Sequence, residues 1–573
     1  MFSDPVVGEN FFGRQAIIDL LIKRAQALKS GYRQNVAIIG HQQLGKTSIL
    51  RQFLHVHRDP GVLAVYVEIK LQALDYFVDQ FIRALLYQYL VQRGTVDPTD
   101  SLEDLTEKAS GDIPKTVLRI HEIAHLLKHR HAEEAYAKLF DLTHVVKEET
   151  GKHCIVILDE FHRLGEFGIK NAFSDFGKRI MVQKDTLYIL SSSSFSQSRK
   201  ILAEKLSLLF GNFERVYLDA FDFDTSFRFI VQKLTPLVIS DALSSFLTSR
   251  TDGHPFFLET LVSRVKDIAI ARGESEVSRQ SVAEAFLKLM YESQGVLNQY
   301  FSKLISPWTQ PMSGGSHVLI LTEIAKGKNR IKEIAAAVNR SQKETASQLE
   351  ELIENELIVK SGVFYRFHSR TFKGWLKEVY VKKELSLLGT SGKSESFLNR
   401  VLEMIAEEEE ILSTDIGERV MGLFRRFRDD IVEWGEKRRK LPRFSEFIRL
   451  PQLTGVSAVG GSSSGGKDNG ARDIIAQGRG RCWVCKIVEE RATEKEVLDL
   501  VRGASDKKSS HTKVLLALNG LDENAKLLAK EKHVLTMGLS RLNFLMDLYD
   551  NLPVIQSSAR SCGSQKPLVS PIS

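Results

Sequence analysis

Two kinds of hydrophobic pattern alternate along the first half of the chain. Uninterrupted apolar runs at 36–39 and 155–158 are typical of strands that are covered on both faces. The segment 74–93 instead has apolar residues at helical spacing and predicts an amphipathic helix. Strands that alternate with helices predict an α/β fold with a doubly wound parallel sheet, whose ligand lies at the carboxyl ends of the strands.

A glycine-rich loop follows the first of these strands. The segment GHQQLGKTS fits the pattern GxxxxGK[ST], with Gly40, Gly45, Lys46 and Thr47 at the fixed positions. Such a loop wraps backbone N–H groups around phosphate oxygens, and the helix that follows adds a partial positive charge. The predicted ATP-binding residues here are Gly40, His41, Gln42, Gln43, Leu44, Gly45, Lys46, Thr47 and Ser48. A plain glycine turn between a strand and a helix is the alternative.

Two acids follow the run 155–158 and complete a Walker B pattern. We expect Asp159 to join the Thr47 hydroxyl group as a ligand of Mg²⁺, and Glu160 to polarise a water for attack on the γ-phosphate. Lys46 would reach the β- and γ-phosphates, so Lys46 and Glu160 are the predicted catalytic residues. ATP and Mg²⁺ are the predicted cofactors, and hydrolysis of ATP to ADP and phosphate is the predicted reaction. Ser191, at the end of another strand, either senses the γ-phosphate or belongs to an ordinary loop.

Composition narrows the class of protein. A chain of 573 residues is too long for one core, and 43% hydrophobic with 26% charged residues is ordinary for a globular protein. No apolar stretch approaches the ~20 residues that cross a bilayer, and the N-terminal segment does not resemble a leader peptide. We therefore expect a cytoplasmic protein without membrane association, which the four cysteines also suit. A net charge of +7 permits nucleic-acid binding without requiring it.

The first half of the chain resembles the archaeal-type ATPases of the STAND group, a branch of the AAA+-related P-loop ATPases. The segments that carry this resemblance, within about residues 8–290, are FFGRQ, GHQQLGKTSIL, IVILDEF, YILSSSS, GNFERVYLDAF and DGHPFFLETL. It implies that Phe12, Gly13 and Arg14 lie near the adenine, which adds Arg14 to the predicted ATP-binding residues. It also implies that 253–255 belongs to a helical lid.

This sequence departs from that family at several positions. Gln15 stands where relatives usually have Glu, and Gln42 and Gln43 stand where many have arginine. We expect Gln42 and Gln43 to change surface charge more than phosphate binding, and any role of the family's acid at position 15 to be absent. Arg215 is open between a contact with the γ-phosphate and a solvated position at a strand edge.

The middle of the chain predicts a different kind of domain. Apolar residues at helical spacing over 317–353 predict three helices, and 357–360 with 364–367 predict a hairpin that turns at Ser361 and Gly362. This combination resembles a winged helix-turn-helix, in which Arg340, Gln342 and Lys343 would face DNA. The acids of the candidate recognition helix oppose contact with phosphates, so a protein partner is the alternative to DNA.

The last third contains two features of interest. Basic and aromatic residues interleave over 424–444, which favours an amphipathic helix with a basic face over a surface that stacks on nucleic acid. Asp473 and Lys486 resemble the core of PD-(D/E)xK nucleases, but Val484 stands where that family has an acid. Unless Glu489 or Glu490 replaces that acid, a metal ion loses a ligand, so we predict an inactive nuclease-like fold that is still able to bind nucleic acid.

Together these features predict an ATP-driven switch. The predicted domains are a P-loop ATPase domain (1–236), a helical lid (237–305), a winged helix-turn-helix (312–385), a restriction-endonuclease-like domain (394–555) and a disordered tail (556–573). ATP would join the first two domains and thereby reposition the others. A DNA-associated protein that holds ATP structurally and an ATP-gated nuclease are the alternatives. The resemblance is compatible with a homo-oligomer, and no residue decides this.

Overall fold

The protein is described by a computed structural model that covers residues 4–206, 213–309, 315–385, 393–434, 437–450, 472–478, 481–503 and 511–554. The chain divides into two compact units. The first consists of Met1–Phe221 with His254–Phe256, and the second consists of Asp222–Gly253 with Phe257–Ser573. The predicted disordered tail lies outside the described residues, as does the Gly/Ser-rich segment at 460–466. Within the described ranges, no helix is both long and apolar enough to span a membrane.

The first unit contains a parallel sheet. Its described strands are β1 (Asn35–Ile39), β2 (Val62–Glu68), β3 (His153–Asp159), β4 (Thr186–Ser192) and β5 (Phe213–Tyr217). They lie in the order β2-β3-β4-β1-β5, and all four pairings are parallel. The predicted α/β fold with a parallel sheet is confirmed.

Helices cover both faces of this sheet. They are α1 (Gln15–Lys29), α2 (Lys46–Val56), α3 (Leu74–Arg93), α4 (Leu102–Ser110), α5 (Pro114–Lys128), α6 (Ala132–Thr150), α7 (Ala172–Val182) and α8 (Phe195–Lys200). Alternate residues of β1 enter different cores: Ala37 and Ile39 pack with α3–α7, whereas Val36 and Ile38 pack with α1 and α2. Because each face of the strand is covered, its sequence is apolar without alternation.

The second unit begins with helices. They are α9 (Phe223–Leu234), α10 (Asp241–Thr251), α11 (Pro255–Ala271), α12 (Arg279–Phe286), α13 (Val296–Ile305), α14 (Gly315–Ala325), α15 (Ile331–Ala337) and α16 (Gln342–Glu354). The first two residues of α11 and the residue before them belong to the first unit, which includes His254–Phe256. The last three of these helices lie where the sequence predicts them.

A two-stranded hairpin follows α16. Its strands β6 (Ile358–Ser361) and β7 (Phe364–Phe367) are antiparallel, and Gly362 in the turn has φ +65°. The predicted hairpin is therefore confirmed. Its tip is packed: Val363 N donates to the Ile431 carbonyl oxygen at 3.1 Å, and Phe364 is fully buried among residues of the C-terminal third.

The C-terminal third contains a mixed sheet. Two helices, α17 (Arg370–Trp375) and α18 (Val381–Leu385), follow the hairpin, and the helices of the C-terminal third are α19 (Lys393–Ser413), α20 (Ile416–Arg425), α21 (Glu494–Gly503), α22 (Glu523–Glu531) and α23 (Leu539–Leu548). The strands are β8 (Ile431–Trp434), β9 (Lys437–Lys440), β10 (Glu446–Leu450), β11 (Arg472–Gly478), β12 (Arg481–Val488), β13 (His511–Ala517) and β14 (Leu535–Gly538). The last five form one sheet in chain order, antiparallel from β10 to β12 and parallel from β12 to β14. Strands β11 and β12, which carry Asp473 and Lys486, are followed by α21, and β14 is followed by α23 near the end of the described chain.

The interpretation of 424–444 as an amphipathic helix is wrong. Helix α20 ends at Arg425, Asp429 adopts a positive φ of 63°, and β8 and β9 then pair as an antiparallel ribbon. Val432 is buried while its neighbours in sequence are exposed, which is the period of a strand. Phe424, Phe427 and Phe444 are buried in the core, so these rings do not form a stacking surface either.

Partly buried ion pairs join the segment 330–370 to the C-terminal third. Arg330 donates from Nε and Nη2 to the two carboxylate oxygens of Asp430, each at 3.1 Å, and Tyr549 donates to the same carboxylate at 2.6 Å. Arg366 and Arg370 both donate to Asp547, at 3.1 and 2.9 Å. Charge-assisted hydrogen bonds of this kind orient the packed segments as well as stabilise them.

Candidate nucleotide-binding site

The predicted glycine loop lies between β1 and α2, at the carboxyl end of the sheet. A Cβ atom on Gly40 would lie 2.6 Å from the carbonyl oxygen of Leu218, which is too close for a carbon atom. Gly45 has φ +91° and caps the amino end of α2, a conformation that favours glycine. Both glycines are therefore required by the backbone, and the helix begins at Lys46.

Lys46 folds back over the loop. Its Nζ atom donates hydrogen bonds to the carbonyl oxygens of Gly40 at 2.8 Å and His41 at 2.6 Å. The side chain is only 5% exposed. A buried ammonium group needs such partners, because an unpaired buried charge is costly. The positive charge is thus fixed within the loop whose backbone would surround a phosphate chain.

Asp159 is the centre of a hydroxyl cluster. Its carboxylate, 1% exposed, accepts hydrogen bonds from Thr47 Oγ1 at 2.8 Å, from Tyr66 Oη at 2.9 Å and from Ser191 Oγ. These four residues come from α2, β2, β3 and β4, so the sheet itself assembles them. Burial and the neighbouring carboxylate raise the pKa of the Tyr66 phenol, which therefore remains a hydrogen-bond donor.

The cluster suits a magnesium ion chemically. Mg²⁺ prefers hard oxygen ligands and is usually held by one or two carboxylates, with water and phosphate oxygens completing its shell. Thr47 and Asp159, the two predicted ligands, are already in contact and supply a hydroxyl and a carboxylate oxygen. The donor set at this edge of the sheet therefore fits the metal.

Tyr66 was not among the sequence-predicted site residues. It lies on β2, and Arg51 stacks above its ring with 4.0 Å between the guanidinium carbon and the ring centroid. The register that pairs Glu68 with Asp159 brings this part of β2 beside the Walker B strand. A polar residue near the end of a strand is the available sequence signal, but the neighbouring strand can be identified only from the fold.

Glu160 is held by the segment after β4. Its Oε2 atom accepts hydrogen bonds from the backbone N–H of Ser193 at 2.9 Å and from Ser193 Oγ at 2.8 Å. His162 Nδ1 lies 3.3 Å from the same oxygen and 2.8 Å from Ser192 Oγ. The backbone of Glu160 has a positive φ of 60°. Ser193 and His162, which the sequence reasoning did not identify, thus fix the position of the candidate base.

The remaining loop residues differ in their surroundings. Leu44 is buried in the core between the sheet and α1, and Gln43 has φ +59°. The His41 ring stacks on Phe195, with 5.9 Å between the ring centroids. Ser48 Oγ accepts a hydrogen bond from Val6 N at 3.1 Å, which ties the amino-terminal segment to α2. The segment 40–48 thus forms a single loop and helix start, as the sequence predicts.

Arg14 lies against the segment that follows β5. Its backbone is left-handed, with φ +62°, at the amino end of α1. Its guanidinium group donates to the Asp219 carbonyl oxygen and lies 4.9 Å from the centroid of the Phe221 ring. The Phe12 ring also contacts Phe221, edge to face. Contact of Arg14 with adenine remains a prediction. Arg215 lies exposed on the edge strand β5, which favours the solvated alternative for it.

His254 contacts the glycine loop. Its Nε2 atom lies 3.2 Å from the carbonyl oxygen of Gln42. Burial, and secondarily the charge of Lys46, lower the pKa of the imidazole to about 3, against the hydrogen bond, which acts the other way. The ring is therefore neutral at physiological pH, and Nε2 carries the proton that is donated to Gln42.

The candidate nuclease residues are placed less completely. Asp473 and Lys486 are direct partners in the pairing of β11 with β12, as their adjacent strands require; the side chain of Asp473 lies outside the described part of the chain. Lys486 is largely buried, with Nζ 3.5 Å from Oδ2 of Asp499 on α21. Val484, also buried, packs in the core on one face of the sheet. Among the described side chains, that of Asp499 lies beside this lysine. Replacement of the missing acid by Glu489 or Glu490 stays a prediction.

The parallel sheet and the glycine loop define the first unit as a P-loop NTPase domain. Comparison with known families agrees, since residues 10–170 match the AAA ATPase domain. No curated protein matches the sequence. The chain thus carries an AAA-type ATPase domain, a class of domain that binds ATP.

Several solved structures are similar to this chain. The Walker-type ATPase PABY2304 of Pyrococcus abyssi is 19% identical, with 66% of this chain and 99% of that chain covered and a TM-score of 0.43. The ORC2 protein of Aeropyrum pernix, solved in ADPNP–ADP complexes, is 12% identical, with 70% and 97% covered and a TM-score of 0.42. The RuvB Holliday junction branch migration motor of Thermotoga maritima is 15% identical, with 66% and 100% covered and a TM-score of 0.31. These values are too low to transfer a function.

Proposed function

We propose that the protein is an ATP-hydrolysing molecular switch of the STAND type, whose nucleotide state is coupled to the second unit. The hydrogen bond from Thr47 to Asp159 carries the proposal, because it unites the loop motif and the Walker B motif in one oxygen-rich cluster. Lys46, fixed inside the loop, supplies the positive charge that a triphosphate requires. A glycine turn of no chemical significance would not bring these three side chains together.

Different residues of the site would bind the phosphates, hold the metal and activate the water. The loop 40–45 and Lys46 would bind the phosphates, while Thr47 and Asp159 would hold Mg²⁺, which when bound neutralises developing charge on the phosphate oxygens. Glu160 would accept a proton from the attacking water. Its hydrogen bonds to Ser193 restrict the carboxylate to one position, and restriction of this kind favours the reactive geometry of a base.

The proposed output passes through the chain next to His254. This residue contacts the loop, and two residues before it the chain is in the second unit, where Asp252 accepts a hydrogen bond from the backbone N–H of Arg370 at 2.6 Å. Arg370 in turn donates to Asp547 on α23. A shift of the backbone at 252–254 would therefore act on a bonded network that includes α17 and α23. We propose this segment as the connection between the nucleotide and the remaining helices.

Two substitutions test the proposal. Lys46→Ala should abolish both ATP binding and turnover, whereas Glu160→Gln should retain ATP and lower turnover by about 100-fold or more, as for loss of a general base. Binding of a fluorescent ATP analogue and release of phosphate are the measurements. Turnover that is negligible in the parent and unaltered by Glu160→Gln would instead support a protein that holds ATP as a structural ligand.

We propose that the C-terminal third does not cleave DNA. Val484 provides no carboxylate, and the amine of Lys486 is already beside Asp499. The test is incubation of the protein with plasmid DNA, ATP and Mg²⁺ or Mn²⁺. Cleavage that disappears in Asp473→Ala would overturn this part of the proposal.

A further inference from the structure

A concentration of exposed positive charge lies on the β8–β9 hairpin and the residues beside it. We name this surface the basic ribbon and define it as residues 425–434 and 437–443. Among its described side chains, the exposed basic ones are Arg425, Arg426, Arg428, Arg438, Arg439, Lys440 and Arg443. Seven exposed cations within such a short segment create a positive potential, which attracts polyanions.

Three acidic residues of the ribbon have described side chains. Asp430 is buried and is turned towards Arg330 and Tyr549. Asp429 lies 3.5 Å from Lys440, and Glu433 lies 3.5 Å from Arg438, both in exposed pairs. Exposed pairs of this kind are weak and are readily exchanged for another anion. Seven exposed basic side chains thus face two exposed acidic ones among the described residues of the ribbon.

The ribbon is rigid at its base. Val432 and Leu441 are buried in the C-terminal core, and Leu441 N donates to the Asp430 carbonyl oxygen at 2.7 Å. The register pairs Val432 with Arg439 across the two strands. Because side chains alternate along a strand, Arg439 lies on the face of the ribbon that it shares with Val432, whereas Arg438 and Lys440 lie on the other face. All three belong to a strand that is anchored to the core.

Shape and chemistry select the kind of polyanion. A two-stranded antiparallel ribbon has the width that the major groove of B-form DNA accepts, whereas the deep and narrow groove of duplex RNA excludes it. Single strands are usually held by exposed aromatic rings on which bases stack. Phe424, Phe427 and Phe444, which lie in or beside the ribbon, are buried and do not provide such rings.

From these observations we infer that the basic ribbon binds duplex DNA, mainly through contacts with phosphates. The proposed interaction uses none of the residues assigned to the nucleotide site, and it does not require ATP hydrolysis. Because each phosphate contact displaces a counterion, affinity should fall steeply as the salt concentration rises.

The decisive variant replaces Arg438, Arg439 and Lys440 by alanine in the full chain. Fluorescence anisotropy with a DNA duplex of about two helical turns, at several salt concentrations and without nucleotide, measures the affinity. We expect the variant to bind at least about 10-fold more weakly at low salt, with a salt dependence smaller by about two to three ion equivalents. The matched control removes three exposed lysines, two on α22 and one directly after it, through Lys526→Ala, Lys530→Ala and Lys532→Ala. It should bind the duplex with the affinity of the parent.

An additional variant and additional probes distinguish the possible outcomes. Replacing Arg438 and Arg439 by lysine keeps the charge and should restore most of the binding, which a merely unfolded ribbon would not do. Equal binding by the alanine variant and the α22 control would overturn the inference, as would no binding by the parent at low salt. Tighter, ribbon-dependent binding to a single strand or to RNA of the same length would overturn the choice of duplex DNA. Phosphate release without DNA should be unchanged in the alanine variant, so failure here is distinguishable from failure of the proposed ATPase.

Discussion

The Thr47 hydroxyl group and the Asp159 carboxylate, 112 positions apart in sequence, are joined by a hydrogen bond of 2.8 Å. This contact places the start of α2 against the end of β3. The glycine loop and the Walker B strand therefore meet at the Asp159 carboxylate, which also accepts hydrogen bonds from Tyr66 and Ser191. Most of the chemistry that we assign to the first unit depends on this centre.

Removal of the Thr47 hydroxyl group should weaken the binding of Mg²⁺. Thr47→Val keeps the volume and the β-branch but eliminates the oxygen, so we expect the Mg²⁺ concentration for half-maximal turnover to rise and the rate to fall by about 10-fold or more. Thr47→Ser retains the oxygen and should remain near the parent in both respects. Phosphate release across a magnesium titration measures the effect. If Thr47→Val and Thr47→Ser behaved alike, the hydroxyl group would have no part in metal binding.

The low pKa of His254 predicts that the folded protein loses stability in mild acid. Burial lowers its pKa in the folded protein to about 3, whereas the unfolded chain has an ordinary histidine with a pKa near 6.5. As the pH falls below about 6.5 the unfolded chain takes up a proton that the folded chain does not, so His254 favours folding fully above that pH and progressively less towards pH 3. Between about pH 7.5 and 5.5 the parent should lose about 1 kcal/mol through this residue.

The control for this effect is His254→Asn, which keeps an N–H donor for the Gln42 carbonyl oxygen but does not titrate. Thermal unfolding of both proteins should show a smaller acid-induced decrease in Tm for the variant than for the parent. Identical pH profiles of the two Tm values would contradict the assignment of a neutral, buried imidazole.

Arg330 should be a major contributor to the stability of the second unit. It compensates the buried Asp430 carboxylate with two hydrogen bonds, and its guanidinium group lies 4.7 Å from the centroid of the Phe364 ring. Arg330→Ala would leave that carboxylate with fewer partners, at a cost of about 3 kcal/mol. Arg330→Lys should recover only part of this, because lysine lacks the two parallel donors.

Chemical denaturation of the variants measures the Arg330 contribution. The double substitution Arg330→Ala with Asp430→Asn should be less damaging than the sum of the two single changes, because both partners of the ion pair are then neutral. Additive effects would show that the two residues do not stabilise each other.

Gly362 should tolerate no side chain. Its φ is +65°, and a Cβ atom would lie 2.0 Å from the carbonyl oxygen of Ile431. Gly362→Ala should therefore force the hairpin from its place and lower stability by about 2 kcal/mol or more. Gly374 in α17 is the matched control, because a Cβ atom added there would meet no described atom within 4 Å apart from its chain neighbours and the backbone of its own helix. Gly374→Ala should be neutral or slightly stabilising, since alanine favours a helix, and a similar loss of Tm in both variants would argue against the steric explanation.

The sequence predicts well those parts that depend on local patterns. The buried strands β1 and β3 and the long helix α3 are recognisable because their apolar period is continuous over the whole element. The loop 40–47 is recognisable because its glycines are fixed by backbone geometry. The parallel sheet then follows from the alternation of strands and helices.

Contacts between distant segments are less accessible from sequence. Tyr66 and Ser193 reach Asp159 and Glu160 only through the order and register of the strands, which the apolar pattern does not specify. Within 424–444, basic residues obscure the period of the strands, and the hairpin is recognisable only when Val432 is seen to enter the core. The domain boundaries and the roles of the site residues accordingly stay predictions.

The burial of Phe364 has a practical consequence for how this protein can be divided. A fragment that stops at residue 385 would contain the three helices and the hairpin, but it would leave the Phe364 ring and Arg330 without the surfaces that cover and neutralise them. Such a fragment should aggregate when it is expressed alone. The three helices with their hairpin and the C-terminal third therefore have to be kept together when the protein is truncated or when its parts are transferred to another chain.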